Sequence, residues 1–297
     1  MNPKHTPYDG SRHPFGIGLT PLDLENWIEV DDDLARYLDE KQRLMATIPG
    51  EVWAGDFSSE KSQQEVLDLL VEHVLKTFPE TYSRSKNIIN IKDIGSVDLD
   101  DVSRPPLLTA AFLVQEDLVI LRKESMGWRL VAASVCFPSS WILREKIGKV
   151  MHYVHGPVPG YCKGTRNAMM IERIFDNLLI DQPVERFNWT AYQDDELYHA
   201  GHSGIDNPEY DTGKSDYFLR VEHQTLRKLP HSKDILFTIR IHIDPLMALK
   251  NRADRSQLAD AFLAVIEDMN EDEKEYKRID RHGEALRAQL MKIRDSK

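Results

Sequence analysis

The chain has 297 residues, with 38 lysines and arginines against 49 aspartates and glutamates, which gives a formal net charge of −11. This charge excludes a protein that coats nucleic acid by bulk charge, because such proteins carry a positive excess. Hydrophobic residues make up 41% and charged residues 29%, a composition typical of a globular protein with a sizeable core. The length fits one large domain or two small ones.

Cysteine content and apolar runs indicate the compartment. The two cysteines, Cys136 and Cys162, are too few for a disulfide framework or for the four thiolates of an iron–sulfur cluster. The longest uncharged apolar run near the middle, 107–114, is far shorter than the roughly 20 residues of a membrane helix. The start of the chain, MNPKHTPYDG, has no apolar signal core. We therefore expect a cytoplasmic protein that binds neither membranes nor nucleic acid.

The first half of the chain predicts an arm, a helix and a meander. Residues 1–50 are rich in proline, glycine and aromatic side chains, which indicates an ordered arm on a core. From Gln63 to Phe78 apolar residues recur every three or four positions and Pro79 follows, so we predict an amphipathic helix. The runs LLTAAFLV, LVILRK and WRLVAASVCF, between 107 and 137, predict three antiparallel strands.

The second half predicts a helix from about Thr165 to Ile180 and three more strands in RFNWTAY, DYFLRVEHQTLRKL and ILFTIRIHI. The chain becomes helical again from Ser256, first apolar and then strongly charged. We expect a single domain over residues 1–297, with an N-terminal arm over about 1–60 and a C-terminal helical segment over about 246–297. The expected fold class is α+β, an antiparallel sheet packed with helices.

Nucleotide-binding and hydrolase motifs are not present. Gly16-Ile-Gly18 begins a dinucleotide pattern, but Pro21 stands where the third glycine belongs and no strand precedes it. The sequence contains no Walker lysine motif, no G-x-S-x-G elbow and no H-E-x-x-H motif. The chain therefore does not itself indicate NAD or ATP chemistry.

Two histidines, His152 and His155, lie between an apolar segment and a Pro/Gly turn in MHYVHGPVPGY. Pro157 and Pro159 restrict their own φ and favour extended conformations in the residues before them, so His155 should be held in a fixed position. Such placement suits an axial metal ligand. A packed core histidine is the more common use of such a residue.

Charged residues interrupt the apolar pattern of the later strands: Arg186, Arg220, Glu222 and Arg240. Alternate residues of a strand share a face, so Arg220 and Glu222 should point the same way, where their charges could pair. Buried arginines form structural ion pairs, or they bind ligand carboxylates and phosphates through the planar guanidinium. The three arginines together would suit the propionates of a heme or a polyanionic cofactor.

Two further metal hypotheses are open. His199 and His202, in the polar stretch 194–215, have the i, i+3 spacing of a shared metal site, or they are solvated loop histidines. Cys136, in LVAASVCFP, is most simply a small core hydrophobe, and a thiolate ligand for iron is the alternative.

A family resemblance rests on segments that occur in order from about Pro14 to Ile243: PFGIGLTPLDLENWIEVD, LVQEDLVILRKE, WRLVAASVCFPSSW, KIGKVMHYVHGPVPGY, RFNW and RVEHQTLRKLPHSKDILFTIR. In their order and spacing the chain resembles the heme-dependent oxidative N-demethylase family, the heme-bearing subunit type of dimethylamine monooxygenase. The resemblance implies a heme b protein with a sheet core of the PAS type. It also implies that O2 is used to oxidise a methyl group of a small secondary methylamine, such as dimethylamine, with release of formaldehyde.

The resemblance further implies electrons from NADPH, carried by a flavin and a [2Fe-2S] centre. Because this chain has two cysteines and no dinucleotide loop, those carriers must lie on partner proteins such as a reductase. Folate-linked capture of formaldehyde, which is associated with the family, matches no residues of this chain.

Individual roles also follow from the resemblance. The H-G-P-V-P segment makes His155 the expected proximal ligand of the heme iron, with His152 as the substitute. Catalytic contacts are expected from Glu222 and Asn188. Cofactor contacts are expected from Arg186, Arg220, Gln224, Arg240 and His223. His223 departs from the family pattern, in which we expect arginine at this position. The departure puts its contact with the heme in doubt. It also makes His223 a competing ligand for the heme iron.

Other functional classes are compatible with the same sequence. The main alternative is a non-catalytic heme-binding sensor or carrier with a PAS-like fold. A third hypothesis is a protein-interaction domain that uses the acidic C-terminal helix as its contact surface. A fourth is a non-heme iron or zinc enzyme built on His199 and His202.

Overall fold

The computed structural model describes residues 2–139, 141–199 and 216–296. The strands in these ranges are Thr20–Pro21 (β1), Trp53–Gly55 (β2), Tyr82–Ser85 (β3), Ile88–Ile91 (β4), Gly95–Asp98 (β5), Asp117–Glu124 (β6), Gly127–Ser134 (β7), Val184–Tyr192 (β8), Phe218–Lys228 (β9) and Ile235–Pro245 (β10). The α-helices are Leu34–Thr47 (α1), Pro49–Val52 (α2), Glu60–Thr77 (α3), Pro106–Ala111 (α4), Leu143–Lys146 (α5), Met151–Val154 (α6), Arg166–Asn177 (α7), Arg255–Asp268 (α8), Glu271–Tyr276 (α9) and Ile279–Arg294 (α10).

The main sheet has seven strands in the order β1-β8-β9-β10-β6-β7-β2, and a smaller sheet has the order β3-β4-β5. Every pairing between these ten described strands is antiparallel. The predicted α+β class, an antiparallel sheet packed with helices, is therefore confirmed.

Alternation along β9 gives the main sheet two different faces. Its even-numbered residues include Arg220, Glu222 and Gln224, whereas the odd-numbered Leu219 and Val221 are apolar. Successive side chains of a strand point to opposite sides, so the polar residues share one face. We call this side the α7 face and the other side the α3 face, after the helices that pack on them.

Helices cover both faces of the sheet. On the α7 face, Val119 and Leu226 pack with Phe175 of α7 in one apolar cluster. On the α3 face, α3 and α4 pack on one part of the sheet through Leu118 and Leu236. The helices α8 and α10 cover the other part of that face, over the side chains of Trp189, Leu219 and Val221. The sheet is thus the central layer, since each face lies under helices.

Most predicted elements of regular structure are confirmed. The predicted helix from Gln63 to Phe78 is α3, and the helix predicted from about Thr165 to Ile180 is α7. The predicted strands in RFNWTAY, DYFLRVEHQTLRKL and ILFTIRIHI are β8, β9 and β10, and the last two runs of the predicted meander are β6 and β7. The C-terminal helix predicted from Ser256 is α8, which begins one residue earlier.

One strand prediction is wrong, because the run LLTAAFLV begins with the helix α4 rather than a strand. Pro106 stands in the first turn of α4, where its fixed φ favours a helix. Residues 107–111 are all buried, including the polar Thr109, so the run has no exposed polar positions to reveal a period. A short apolar run of this kind does not distinguish a buried helix from a buried strand.

The arm at the start of the chain packs on the core through aromatic side chains. Tyr8, Phe15 and Trp27 are buried, and the Tyr8 ring stacks on Phe262 of α8 with 4.6 Å between ring centroids. Among the described residues, no helix is both long and apolar enough to cross a membrane.

Candidate functional site

A strip of polar side chains crosses β8 and β9 on the α7 face. In the strand register Arg186 lies opposite Gln224, and Asn188 lies opposite Glu222. The amides of Asn188 and Gln224 both donate to the Oε2 atom of Glu222, at 3.3 and 2.6 Å. The fold therefore brings four of the sequence-predicted residues together on one surface. We call Arg186, Asn188, Glu222 and Gln224 the polar strip.

His155 lies at the end of α6, where a series of tight turns fixes the backbone. Its own N–H donates to the carbonyl of Met151 at 2.9 Å, and its carbonyl accepts from Val158 at 2.8 Å. The next turn brings the ring of Tyr161 to 5.9 Å from the His155 ring. The imidazole makes no hydrogen bond to any described residue, so its nitrogens are available to a ligand.

The surroundings of His155 keep its imidazole neutral. Burial lowers the pKa of His155 to about 4, and the positive charges of Arg186 and Lys146 lower it further. A neutral imidazole is the form that binds a metal ion. Because the charge of Arg186 lowers the pKa of His155, the two side chains lie near each other, at the Arg186 end of the polar strip.

Arg186 has a donor without a partner. Its Nε atom is buried and donates to no group in the described ranges, although its side chain as a whole is only partly buried. A buried N–H without an acceptor is costly, so such a group is suited to a ligand that supplies an anionic oxygen.

Lys277 borders the same strip from the C-terminal part of the chain. The ammonium donates to the side-chain carbonyl of Asn188 at 3.1 Å and to the backbone carbonyl of Trp189. It also lies over the Trp189 ring, 4.6 Å from the centroid. Burial lowers the pKa of Lys277 to about 7, with Glu222 acting in the opposite direction and Arg186 in the same direction. The side chain is thus a buried amine that changes charge near neutral pH.

The turn between α9 and α10 places Lys277. A capping box of Asn270 and Glu273 fixes the start of α9, with two reciprocal hydrogen bonds of 3.0 Å. One residue after Lys277, Arg278 adopts a left-handed conformation with φ of 61°, and α10 begins there. The local sequence NEDE therefore fixes the start of α9, the short helix that immediately precedes Lys277.

Aromatic groups lie close to the strip. Phe15 of the N-terminal arm and Tyr276 contact each other with 5.7 Å between centroids, and the hydroxyl of Tyr161 donates to the Phe15 carbonyl at 2.9 Å. Desolvation and the neighbouring carboxylate of Glu222 raise the pKa of Tyr276 to about 12. The phenol therefore remains protonated and can donate a hydrogen bond.

Arg220 shares the α7 face but has protein partners already. It is 1% exposed, and its guanidinium donates to the Phe137 carbonyl at 2.6 Å and to the Ser139 hydroxyl at 2.9 Å. Arg220 and Glu222 point the same way, as predicted, but they form no ion pair. The geometry therefore favours a role for Arg220 in holding the segment that follows β7.

His223 lies on the α3 face, away from the other predicted residues. Its Nδ1 donates to Glu29 at 2.6 Å and its Nε2 donates to Glu185 at 2.7 Å. These two carboxylates raise the pKa of His223 against the lowering effect of burial. A charged imidazolium with both nitrogens occupied offers no free lone pair to a metal.

Arg240 lies on the α3 face as well. It is 1% exposed, pairs with Asp31 at 2.6 Å and lies over the Tyr37 ring at 4.4 Å. The structure thus places Arg240 and His223 on the side of the sheet opposite the polar strip. We therefore leave both out of the proposed site.

The remaining metal candidates have separate locations. The His152 ring lies against Tyr153, 4.5 Å between centroids, and its buried Nε2 has no partner in the described chain. His199 faces Asp194 at 3.1 Å, whereas His202 lies outside the described residues. Burial raises the pKa of Cys136 to about 12, which favours a core thiol over a thiolate ligand.

Sequence reasoning missed Lys277, because the run from Glu271 to Lys277 looks like a solvated charged helix. The capping signal of Asn270 and Glu273 was readable, but the burial of one lysine at its end depends on the distant β8. No local pattern indicates such a contact.

A known protein family matches most of the chain. The family model described as "Haem-dependent oxidative N-demethylase, alpha subunit-like" matches residues 18–287. The matched range includes His155, the polar strip and Lys277.

Proposed function

The chain belongs to the heme-dependent oxidative N-demethylase alpha-subunit-like family, and on this premise we propose that it is a heme b dependent monooxygenase subunit. In the proposed reaction a small secondary methylamine, such as dimethylamine, loses one methyl group as formaldehyde. One oxygen atom of O2 enters formaldehyde and the other leaves as water, with two electrons and two protons supplied. Residues 1–297 would form a single heme-binding domain with a PAS-type sheet.

The observation that carries the proposal is the state of His155. Its imidazole is neutral, makes no hydrogen bond to the described protein, and lies close to the cation of Arg186. These are the properties of a histidine that binds heme iron. His155 would hold the heme iron through an imidazole nitrogen, and His152, on the same short helix, is the substitute.

Arg186 fits the carboxylates of the same cofactor. Its unpartnered Nε is buried at one end of the polar strip, where a heme propionate would accept its hydrogen bond. Burial is the main reason for the low pKa of His155, and the guanidinium lowers this pKa further, so one side chain would bind the cofactor and help to keep its ligand neutral. When bound, heme supplies the activation of O2 and the oxidation of the methyl group.

Glu222 and Asn188 form the proposed substrate-contacting pair. An alkylamine is a cation in neutral water, so a buried carboxylate attracts it. In the described part of the chain every hydrogen bond to the Glu222 side chain uses Oε2, which leaves Oε1 for the substrate ammonium. Asn188 and Gln224 hold the carboxylate in one orientation.

Electrons come from a partner reductase in this proposal. The supporting fact is compositional, since two cysteines cannot bind an iron–sulfur cluster and the chain has no dinucleotide loop. NADPH, flavin and the [2Fe-2S] centre therefore belong to partner proteins.

The test is turnover by the heme-loaded protein with a surrogate ferredoxin reductase, NADPH and a series of methylamines. We expect O2 consumption matched by formaldehyde, with dimethylamine among the substrates. The variant Glu222→Gln should lose at least tenfold in kcat/KM while it keeps its heme spectrum.

The matched control is Glu185→Gln, on the same sheet but on the α3 face. It should retain turnover. If the heme-loaded protein consumes no O2 with any methylamine, the oxygenase proposal is wrong and the non-catalytic sensor or carrier is favoured. If Glu185→Gln and Glu222→Gln lose activity equally, the assignment of the polar strip is wrong.

A further inference from the structure

A second cluster of ligand-type side chains lies on the α3 face, around the carboxylate of Glu29. His5 of the arm places its Nε2 atom 3.2 Å from both carboxylate oxygens. His242 of β10 places its Nε2 atom 3.5 Å from Oε2. The three ligand atoms lie within 4.8 Å of one another. The proposed heme site does not use any of these residues.

The spacings of the Glu29 carboxylate to the two histidines match those of metal ligands. In a tetrahedral zinc site with bonds of about 2.0–2.1 Å, neighbouring ligand atoms are about 3.3 Å apart. The spacings of Glu29 to His5 and to His242, 3.2 and 3.5 Å, lie on both sides of that value. Two imidazoles and one carboxylate are also a common set of zinc ligands, with a fourth position for water.

His242 provides an independent observation. Its side chain is 9% exposed, and its Nε2 atom is buried without a hydrogen-bond partner among the described residues. That nitrogen points towards the Glu29 carboxylate. A buried polar atom without a partner costs free energy unless a ligand satisfies it.

The surroundings of Glu29 orient the carboxylate. His223 donates to its Oε1 atom at 2.6 Å, and the Glu29 backbone N–H donates to the Glu116 side chain at 2.8 Å. Ligating carboxylates are usually hydrogen-bonded in this way, which fixes their orientation towards the metal. Glu29 is 6% exposed, so this orientation is protected from solvent.

Lys4 occupies the open side of the cluster. Its ammonium forms an ion pair with the Oε2 atom of Glu29, while the lysine side chain remains 56% exposed. The ammonium marks a position where a cation is favourable. Because the side chain is largely in solvent, it can move away at little cost when a stronger cation binds.

We propose that His5, Glu29 and His242 bind one divalent transition-metal ion. Two nitrogen ligands and one oxygen ligand suit zinc and its neighbours in the first row, and Zn²⁺ is the probe. Binding would join the arm, the segment before α1 and strand β10, which are far apart in sequence. The ion would therefore fix the arm on the sheet.

Zinc binding by the heme-loaded protein tests the proposal, because heme then occupies the His155 side of the sheet. Zinc content is measured by mass spectrometry, and affinity is measured by competition with a chromophoric chelator. We expect His5→Ala to bind one equivalent less than wild type. Lys4→Met should bind zinc up to about fivefold more tightly, the effect of removing a largely exposed ion pair.

The controls keep the result interpretable. His231→Ala removes an exposed histidine far from the cluster and should leave stoichiometry and affinity unchanged. His242→Gln should also lose one equivalent, and if it fails to fold, His5→Ala on the arm decides. An unchanged heme spectrum in His5→Ala separates this site from the heme proposal. If wild type binds no zinc, or His5→Ala binds it equally well, the inference is wrong.

Discussion

Lys277 donates a hydrogen bond to Asn188 at 3.1 Å, although the two residues lie 89 positions apart in the sequence. The amide of Asn188 then donates to Glu222 at 3.3 Å. A buried amine and a buried carboxylate are thus linked through one amide on the polar strip. This connection joins the C-terminal part of the chain to the sheet.

Lys277→Met should change how stability depends on pH. The pKa of Lys277 is about 7 in the folded chain against about 10.4 when unfolded, so the wild-type free energy of unfolding should rise with pH through this window. Between pH 7 and pH 9.5 the rise from this group is up to about 3 kcal/mol. Urea unfolding at both pH values should show the rise in wild type and in the exposed-residue control Lys250→Met. Equal slopes in Lys277→Met and wild type would contradict the burial of this amine.

Arg186→Gln should weaken heme binding by about 10- to 100-fold, because a charge-assisted hydrogen bond of about 1.5–3 kcal/mol is lost. The measurement is heme titration followed at the Soret band. The control is Arg144→Gln, which removes an exposed arginine and should bind heme as wild type does. The same affinity in Arg186→Gln and wild type would remove this residue from the proposed site.

Arg240→Gln should lower the stability of the fold and leave heme affinity nearly unchanged. Its loss leaves Asp31 without its buried partner, so the free energy of unfolding should fall by about 3 kcal/mol. Heme affinity of the folded variant should stay within about threefold of wild type, because the side chain lies on the α3 face. Denaturant unfolding and heme titration of the same sample give both values. A large loss of heme affinity with unchanged stability would return Arg240 to the cofactor contacts.

Acid stability should depend on His73 of α3. Burial, with Arg227 and Lys76 nearby, lowers the pKa of His73 to about 4, and its Nε2 has no described partner. The unfolded chain then binds a proton below about pH 6.5 that the folded chain does not bind, so stability falls as the pH drops towards 4. His73→Leu should reduce this fall by about 2–3 kcal/mol in unfolding experiments at pH 7 and pH 4.5. The control variant His231→Leu, which replaces an exposed histidine, should leave the fall in stability unchanged.

The sequence predicts much of the main sheet, because strands and amphipathic helices have periodic patterns. Alternation alone places Arg186 with Asn188 on one face of β8, and Glu222 with Gln224 on one face of β9, but the register of the two strands is needed to put both pairs on the same side. The small sheet from β3 to β5 was not predicted. Its strands have four residues each, and two turns use Lys86 and Asp93 with positive φ instead of glycine.

The side chains that meet on each face of the sheet, and their partners, are harder to predict than the strands themselves. Arg220 and Arg240 look alike in the sequence, but only the strand register shows that they lie on opposite faces with different protein partners. The cluster of His5, Glu29 and His242 has no spacing motif, since its members come from three distant segments. Contacts of this kind depend on tertiary packing, which no local pattern contains.

Heme binding through His155 is the central claim, and the ultraviolet–visible spectrum tests it most directly. The samples are wild type, His155→Ala and the matched control His152→Ala, each titrated with heme and checked for folding by circular dichroism. We predict a Soret band in wild type and His152→Ala, its loss in His155→Ala, and its recovery there on addition of imidazole. A wild-type protein that stays colourless, or a His155→Ala variant that binds heme with an unchanged spectrum and affinity, would contradict the claim.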